Sequence, residues 1–313
     1  MDFVEFLKVI VLGIVEGITE WLPVSSTGHM YLLDEFWPLS MSEDFKEMFF
    51  VVIQLGAILA VIVVFWKRLW PFGWKNVCEE KESAGASLHS DADDGASSGS
   101  NVTCKTRGRV YAKKDILILW LKVIVACLPA AVLGLLFDDL LDEYLYNGVV
   151  IALMLILYGI AFILVENWNR KRTPRINTVE EIDYRTAFLI GLFQVLALIP
   201  GTSRSGATIV GALLIGVSRT AAAEFTFFLA IPTMFGASLL KLVKFFLEGN
   251  ALGGTEVAVL LLGMAVAFAV SIIVIKFLMG FVKKHDFKVF GWYRIVLGII
   301  VLTVFLLQFL EII

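Results

Sequence analysis

Six long apolar stretches dominate this chain of 313 residues. A helix of about 20 apolar residues crosses the roughly 30 Å hydrocarbon core of a bilayer and satisfies its backbone hydrogen bonds internally. The hydrophobic share of 59% agrees with this reading, since soluble domains average about 45–50% apolar residues. We therefore predict an all-α integral membrane protein that forms a single polytopic membrane domain over 1–313. The predicted spans are roughly 47–66, 115–137, 148–166, 221–245, 256–280 and 291–312.

Two further apolar regions are interrupted by polar and helix-breaking residues. The first, about 3–33, contains the run Pro-Val-Ser-Ser-Thr-Gly-His, and the second, about 186–218, contains Pro-Gly-Thr-Ser-Arg-Ser-Gly. Each is followed by three spans, so two re-entrant segments would make the second half an inverted copy of the first. Broken helices at matching positions of inverted repeats point to a midplane site. We predict an inverted repeat of two halves, about 1–166 and 186–313, each with one re-entrant helix-loop-helix and three transmembrane helices; the alternative is two ordinary kinked spans.

Charged residues orient the chain and leave one long polar stretch. Lys and Arg concentrate in 67–114, 167–185 and 281–290, whereas the 137–147 loop carries only acids. Basic loops favour the cytoplasmic side, which puts both ends of the first interrupted region outside. The Ser/Gly/Asp-rich core at 83–101 has too little apolar surface to fold. We therefore predict that 75–112 is a flexible polar cytoplasmic loop.

Two glutamates, Glu16 and Glu20, stand four residues apart inside the first interrupted region. On a helix this spacing puts both carboxylates on one face, with Cβ atoms about 5–6 Å apart. Such a pair needs a shared proton, a basic partner or a divalent cation. Ionisable residues within membrane segments generally mark functional sites. We predict a functional pair; the alternative is two solvated charges at a wet helix end.

A hydroxyl-rich run follows, with Ser25, Ser26 and Thr27 close to His29. A serine becomes nucleophilic when a neighbouring base takes its proton, and His29 is a candidate general base or acid. The alternative is a turn that caps the next helix, since Ser and Thr favour N-cap positions. The two readings are compatible because helix N-termini bind anions.

The second interrupted region combines Gly201, Ser203 and Ser205 with a permanent cation, Arg204. Pro200 and Gly201 break the helix and expose backbone N–H groups, while the serines add donors. The planar guanidinium fork suits phosphate. We predict an anion cradle; the alternative is a cytoplasmic turn with a snorkelling arginine.

Together these residues suit hydrolysis of a phosphate ester or anhydride at membrane depth. A lipid phosphate is the natural substrate, because its tail can stay in the bilayer while the head group enters the site. Gln54, within 47–66, is a further candidate for lining the cavity. A lipid-phosphate flippase or ion-coupled transporter is the alternative, since broken helices in inverted repeats are typical of transporters. The cluster of hydroxyls and His29 favours the enzyme, because transport needs no nucleophile.

The run from Glu16 to His29, Glu-Gly-Ile-Thr-Glu-Trp-Leu-Pro-Val-Ser-Ser-Thr-Gly-His, closely resembles the signature of the undecaprenyl-pyrophosphate phosphatase family, also called the bacitracin-resistance family. The run from Pro200 to Thr208 resembles its second signature. The similarity spans the chain apart from the polar stretch near 75–112. It implies inverted repeats with two re-entrant segments. It also implies hydrolysis of undecaprenyl (polyprenyl) pyrophosphate to the monophosphate, which recycles the carrier lipid of cell-wall synthesis.

The resemblance also implies roles for particular residues. Ser26 matches the favoured nucleophile, although His29 stays an alternative. Glu16 and Glu20 match the acidic motif, either as ligands of a divalent cation, magnesium or calcium, or as the base. The expected catalytic residues are Glu16, Glu20, Ser26, His29 and Arg204. The expected phosphate-binding residues are Ser25, Thr27, Gly201, Ser203, Arg204 and Ser205.

The expected setting is the cell membrane, with a site that opens to the extracytoplasmic side. The expected partners are the polyprenyl pyrophosphate lipid and the bilayer, with a homodimer as an open option. The formal net charge of −3 gives no reason to expect nucleic-acid binding. The long polar insertion departs from the family pattern, which leaves the natural length of the lipid chain open.

Overall fold

The computed structural model of the chain describes residues 3–79 and 105–310. Those residues form twelve α-helices, one 3-10 turn and two short strands. In chain order the elements are α1 (Phe3–Thr19), α2 (Ser26–Phe36), α3 (Glu43–Val52), α4 (Gln54–Val64), α5 (Trp66–Leu69), β1 (Phe72–Glu79), β2 (Lys105–Ala112), α6 (Lys114–Leu145), α7 (Gly148–Asn169), α8 (Tyr184–Val195), the 3-10 turn (Leu196–Leu198), α9 (Arg204–Ile215), α10 (Arg219–Leu247), α11 (Gly254–Phe281) and α12 (Lys288–Phe309).

Six helical segments within the described residues are long and apolar enough to cross a membrane. They confirm the six predicted spans, with ends that differ by a few residues. Helices α3 and α4 together make one of them, with Ile53 between the two helices. The segments are Glu43–Val64, Lys114–Phe137, Gly148–Asn169, Arg219–Leu247, Gly254–Phe281 and Lys288–Phe309. The protein is thus a largely helical multi-pass membrane protein.

Short polar side chains fix where several of these helices begin. Ser42, Asn147, Asp183 and Ser218 each accept a hydrogen bond from a backbone N–H three residues further along. The first N–H groups of an α-helix have no partner inside the helix, so a side-chain acceptor at this position favours the start. Three of the six spans, and the shorter helix α8, therefore begin at defined residues of their loops.

Both interrupted regions form two short helices rather than one kinked helix. Linker 20–25 separates α1, of 17 residues, from α2, of 11 residues. In the second region, α8 is followed by the 3-10 turn, and linker 199–203 separates this turn from α9. Helices α8 and α9 each have 12 residues. Pro23 and Pro200 lie in the two linkers, where no helical N–H is required.

Several helix contacts of one half have a counterpart in the other half. Helix α1 packs on α11, and α8 packs on α6; α4 contacts α11, and α10 contacts α6. Likewise α2 contacts α12 and α9 contacts α7, while α7 and α12 pack on each other. Glycines allow the close approaches: a Cβ on Gly17 would lie 2.8 Å from the Ala267 carbonyl oxygen, and one on Gly191 would lie 2.2 Å from that of Ala126.

The polar stretch after α5 differs from the predicted flexible loop at both of its ends. Strands β1 and β2 pair antiparallel, with Phe72 opposite Ala112 and Glu79 opposite Lys105. The backbone of Lys113 also donates to the Pro71 carbonyl. Val77, Val110 and Tyr111 are residue types with high β propensity, which the overall composition of the stretch conceals. The Ser/Gly/Asp-rich core of the loop lies outside the described residues.

Candidate active site

The linkers of the two halves meet at an ion pair between Glu20 and Arg204. Arg204 Nη2 lies 3.0 Å from Glu20 Oε1, and the two side chains are only 10% and 8% exposed. The other carboxylate oxygen, Oε2, accepts a hydrogen bond of 2.8 Å from Ser26 Oγ. Arg204 Nη1 donates to the Thr226 carbonyl at 3.0 Å, which holds the guanidinium plane in place. The sequence placed these groups in one site, and the geometry brings Glu20, Ser26 and Arg204 into direct contact.

Glu16 lies one helical turn before Glu20 and is buried. Its Oε1 atom has no hydrogen-bond partner among the described residues. Trp21, next along the chain, is fully buried and packs edge-on against Phe227 with ring centroids 5.3 Å apart. A wet helix end with two solvated carboxylates is therefore excluded: the protein encloses Glu16 and Glu20, which are 1% and 7% exposed.

Two serines hold the linkers in the same strained conformation. Ser25 and Ser203 are the non-glycine residues with positive φ in the described chain, at 75° and 71°. Each is the N-cap of the helix that follows, and each accepts a hydrogen bond from a glycine N–H three residues on, Gly28 and Gly206. A side chain in this region costs about 1–3 kcal/mol, and such strain clusters at functional sites.

A cavity of about 190 Å³ opens between the two linkers. Six of the residues predicted for the site line this cavity. Gln54 also lines it, as expected from the sequence. Gln194 and Thr233 also line it, and these the sequence did not single out. The six predicted residues are Glu20, Ser26, Thr27, Gly201, Ser203 and Arg204.

Four predicted residues lie outside this lining: Glu16, described above, and Ser25, Ser205 and His29. The Ser25 hydroxyl caps α2, and the Ser205 hydroxyl donates to the backbone carbonyl of Glu20 at 3.2 Å. His29 Nδ1 donates to the Ser25 carbonyl at 2.7 Å, because a carbonyl only accepts. In the neutral ring Nε2 then accepts from the Tyr293 hydroxyl, also at 2.7 Å. Tyr293 was not among the candidates, since an aromatic residue in the first turn of a span also suits the membrane interface.

Arg294 is a residue of the site that the sequence-based prediction did not include. It lies within α12, is 0% exposed, and contacts no carboxylate among the described residues. Its Nη2 atom donates to the carbonyls of Gly201 and Thr202 at 2.8 and 2.9 Å, and Nη1 donates to that of Pro23 at 3.3 Å. One guanidinium thus binds the backbone of both linkers. An arginine inside the last apolar stretch was the available signal.

No cluster of three metal-binding side chains occurs in residues 3–79 and 105–310. Glu20 lines the cavity with both carboxylate oxygens hydrogen-bonded, whereas Glu16 lies behind it, buried, with an Oε1 atom that has no hydrogen-bond partner among the described residues. Magnesium is usually held by one or two carboxylates together with substrate phosphates and water. The residues present therefore fit a cation that arrives with a phosphate ligand, rather than a cage made wholly of protein.

Comparison with known proteins identifies the family of this chain. The family model described as bacitracin resistance protein BacA matches residues 9–300. An undecaprenyl-diphosphatase of Enterococcus faecalis is 60% identical over 304 residues, which cover 97% of this chain and 98% of the relative. Undecaprenyl-diphosphatases of Desulfitobacterium hafniense and Lachnoclostridium phytofermentans are each 56% identical, over 97% and 98% of this chain and 98% and 99% of their own lengths. The chain therefore belongs to the bacitracin resistance protein BacA family.

Proposed function

We propose that this protein removes the terminal phosphate of undecaprenyl pyrophosphate and leaves the lipid monophosphate. The observation that carries the proposal is the contact of Ser26, Glu20 and Arg204 in one cavity of a membrane protein. A hydroxyl on a carboxylate supplies a nucleophile with its base, and the guanidinium supplies a phosphate-binding charge. Relatives that carry the name undecaprenyl-diphosphatase support the choice of substrate.

The proposed arrangement of the chain in the membrane is an inverted repeat with two re-entrant segments. Helix contacts of one half that have counterparts in the other half support it. So does the length of the helices in the two segments, because a span needs about 20 residues and none of the four is that long. These helices are α1, α2, α8 and α9. The matched strain at Ser25 and Ser203 supports it further. Basic loops on one side favour a site that opens to the extracytoplasmic side of the cell membrane.

The proposed reaction begins at Ser26. Its Oγ attacks the terminal phosphorus, Glu20 accepts the hydroxyl proton, and the bond from that phosphorus to the bridging oxygen breaks. The lipid monophosphate leaves with the bridging oxygen. Water then attacks the phosphorus of the phosphoserine and breaks its bond to Oγ. Glu20 returns its proton to Ser26 Oγ, and inorganic phosphate leaves with both protons of the water. His29 is the less suitable nucleophile, because both of its ring nitrogens already have hydrogen-bond partners.

Proton transfer to Glu20 also changes what Arg204 binds. While Glu20 is charged, its Oε1 holds the guanidinium at 3.0 Å. A protonated Glu20 no longer neutralises the positive charge of Arg204. The guanidinium can then bind the phosphoryl oxygens as negative charge develops on them. Helices α2 and α9 both begin at the cavity, so their N-terminal N–H groups add to the positive potential.

A divalent cation, magnesium or calcium, is the proposed cofactor, held by Glu16 and Glu20. When bound with substrate it would neutralise charge on the pyrophosphate oxygens. The unpartnered carboxylate oxygen of Glu16 supports this assignment. A transporter on the same architecture is the less suitable function, because transport gives no reason for the hydrogen bond between Ser26 and Glu20.

Replacing the proposed nucleophile tests the function directly. Ser26→Ala should lower phosphate release from undecaprenyl pyrophosphate by about 10³-fold or more, as loss of a nucleophile typically does. Purified protein in detergent is assayed for inorganic phosphate. Thr303→Ala is the control, since that hydroxyl also lies on a helix but donates to the Ile299 carbonyl, away from the cavity. Full activity of Ser26→Ala would remove Ser26 from the mechanism, and no release by the wild-type protein would overturn the function.

The cation proposal predicts a weaker metal site in Glu16→Gln. The concentration of magnesium that gives half-maximal phosphate release should rise about tenfold or more, because one charged ligand is lost. Binding of manganese, followed by electron paramagnetic resonance in the presence of pyrophosphate, gives a second readout that does not depend on turnover. Glu43→Gln, at an exposed helix start, is the matched control. Identical manganese affinities for wild type and Glu16→Gln would contradict the assignment.

Arg294 is a positioning residue in this account. A lysine at 294 keeps the charge but lacks the fork that reaches carbonyls on both linkers. Arg294→Lys should therefore lower kcat by about tenfold to a hundredfold, the cost of misplacing reacting groups by around an ångström, with a smaller change in KM. Arg185→Lys, at an exposed position, should change neither. Unchanged kcat with a raised KM would show instead that Arg294 acts in substrate binding.

A further inference from the structure

A second cavity, larger than the first, lies where α7 and α9 end and α10 begins. Its volume is about 1040 Å³, and none of its lining residues belongs to the cavity around Glu20. Six basic side chains and a single carboxylate line it, so it carries a strong positive charge. The basic residues are Arg170, Lys171, Arg172, Arg175, Arg219 and Lys283, and the carboxylate is Glu166.

The single carboxylate of this cavity, Glu166, is already hydrogen-bonded to neighbouring groups of the protein. Glu166 is 1% exposed and accepts two hydrogen bonds from Arg219 Nε and one of 2.6 Å from Arg219 Nη2. It also accepts one of 3.0 Å from the backbone of Phe287. The ion pair of Glu166 and Arg219 therefore has a structural role. The negative charge of Glu166 is neutralised by Arg219 and does not neutralise the other cations.

The remaining cations are left facing the cavity. Arg170, Lys171 and Arg175 form no ion pair with any carboxylate of the described residues. Arg172 stacks over the Trp168 ring at 3.6 Å from its centroid. This contact orients the Arg172 guanidinium without cancelling its charge.

Uncharged donors line the same cavity. Ser218 caps α10, and the first N–H groups of that 29-residue helix, those of Arg219 and Thr220, have no acceptor within it. The positive end of the helix dipole therefore adds to the arginines and lysines. Leu213, Val217 and Val282 supply an apolar part of the lining. Arginines, N–H donors and hydroxyls together are the groups that bind phosphate.

We propose that this basic cavity is a binding site for phosphate groups, carried by the head groups of anionic lipids or present as free phosphate. Its place at the ends of three membrane helices lets a lipid head group enter while the acyl chains stay beside α7 and α10. Basic pockets between spans commonly hold multiply charged lipid head groups. The proposal is independent of the reaction at Glu20, because the two cavities share no residue.

The experiment compares two triple variants with equal loss of charge. Arg170→Gln with Arg172→Gln and Arg175→Gln empties the cavity of three cations, while Lys114→Gln with Arg185→Gln and Lys284→Gln removes three exposed cations elsewhere. Binding of cardiolipin is measured by native mass spectrometry, and binding of inorganic phosphate by calorimetry. The cavity variant should bind its ligand at least about tenfold more weakly than wild type, and the control variant should not.

The two arms separate the sources of the phosphate. Cardiolipin that stays bound in excess inorganic phosphate supports a lipid site, whereas calorimetric phosphate binding that displaces cardiolipin supports a site for free phosphate. Equal weakening in both triple variants, or none in either, would overturn the proposal. Phosphate release from undecaprenyl pyrophosphate and the melting temperature should match wild type in both variants, which shows that each one is folded.

Discussion

The buried ion pair between Glu20 and Arg204 joins two parts of the chain that are 184 residues apart. Taking two charges out of water is costly, and their attraction offsets this only when the geometry is good and the remaining atoms have partners. Here Ser26 satisfies the second carboxylate oxygen and the Thr226 carbonyl satisfies the other end of the guanidinium. The same contacts that offset the cost of burying the pair also place a hydroxyl, a base and a cation around one cavity.

The backbone around this pair is held in a conformation that would not persist by itself. Ser25 and Ser203 occupy a region of positive φ that other residues than glycine rarely adopt, and both keep it by capping the helix that follows. Linkers without regular structure also leave carbonyls that lipid cannot satisfy. Arg294 binds three such carbonyls across both linkers, so a single side chain of α12 stabilises the two halves of the site together.

Much of this arrangement follows from the sequence. The six spans could be predicted because a long apolar run has few alternatives, and the contact of Glu20, Ser26 and Arg204 because polar residues in two broken apolar segments need partners. Tyr293 could not be found in this way, since an aromatic residue near the start of an apolar helix suits the interface as well as an interior. Arg294 had a signal, its place inside an apolar stretch, but no sequence pattern showed which groups it binds. Helix capping by the Ser-Ser-Thr run was foreseen as an alternative, and Ser25 confirms it. The contact of Ser205 with the Glu20 carbonyl was hidden, because a hydroxyl beside a site looks the same in sequence whether it binds backbone or faces a ligand. The hairpin of β1 and β2 depends on pairing across 25 intervening residues, which local composition does not reveal.

Catalysis as proposed requires Glu20 and Arg204 to act as one unit. A double-mutant cycle on kcat/KM for phosphate release, with Glu20→Gln, Arg204→Lys and the combination, measures that coupling. If the two act together, the combined variant should lose no more activity than the more damaging single variant, because the first change already breaks the unit. If instead the two fold-losses multiply, the residues contribute independently, and the proposed coupling between proton transfer to Glu20 and the action of Arg204 is wrong.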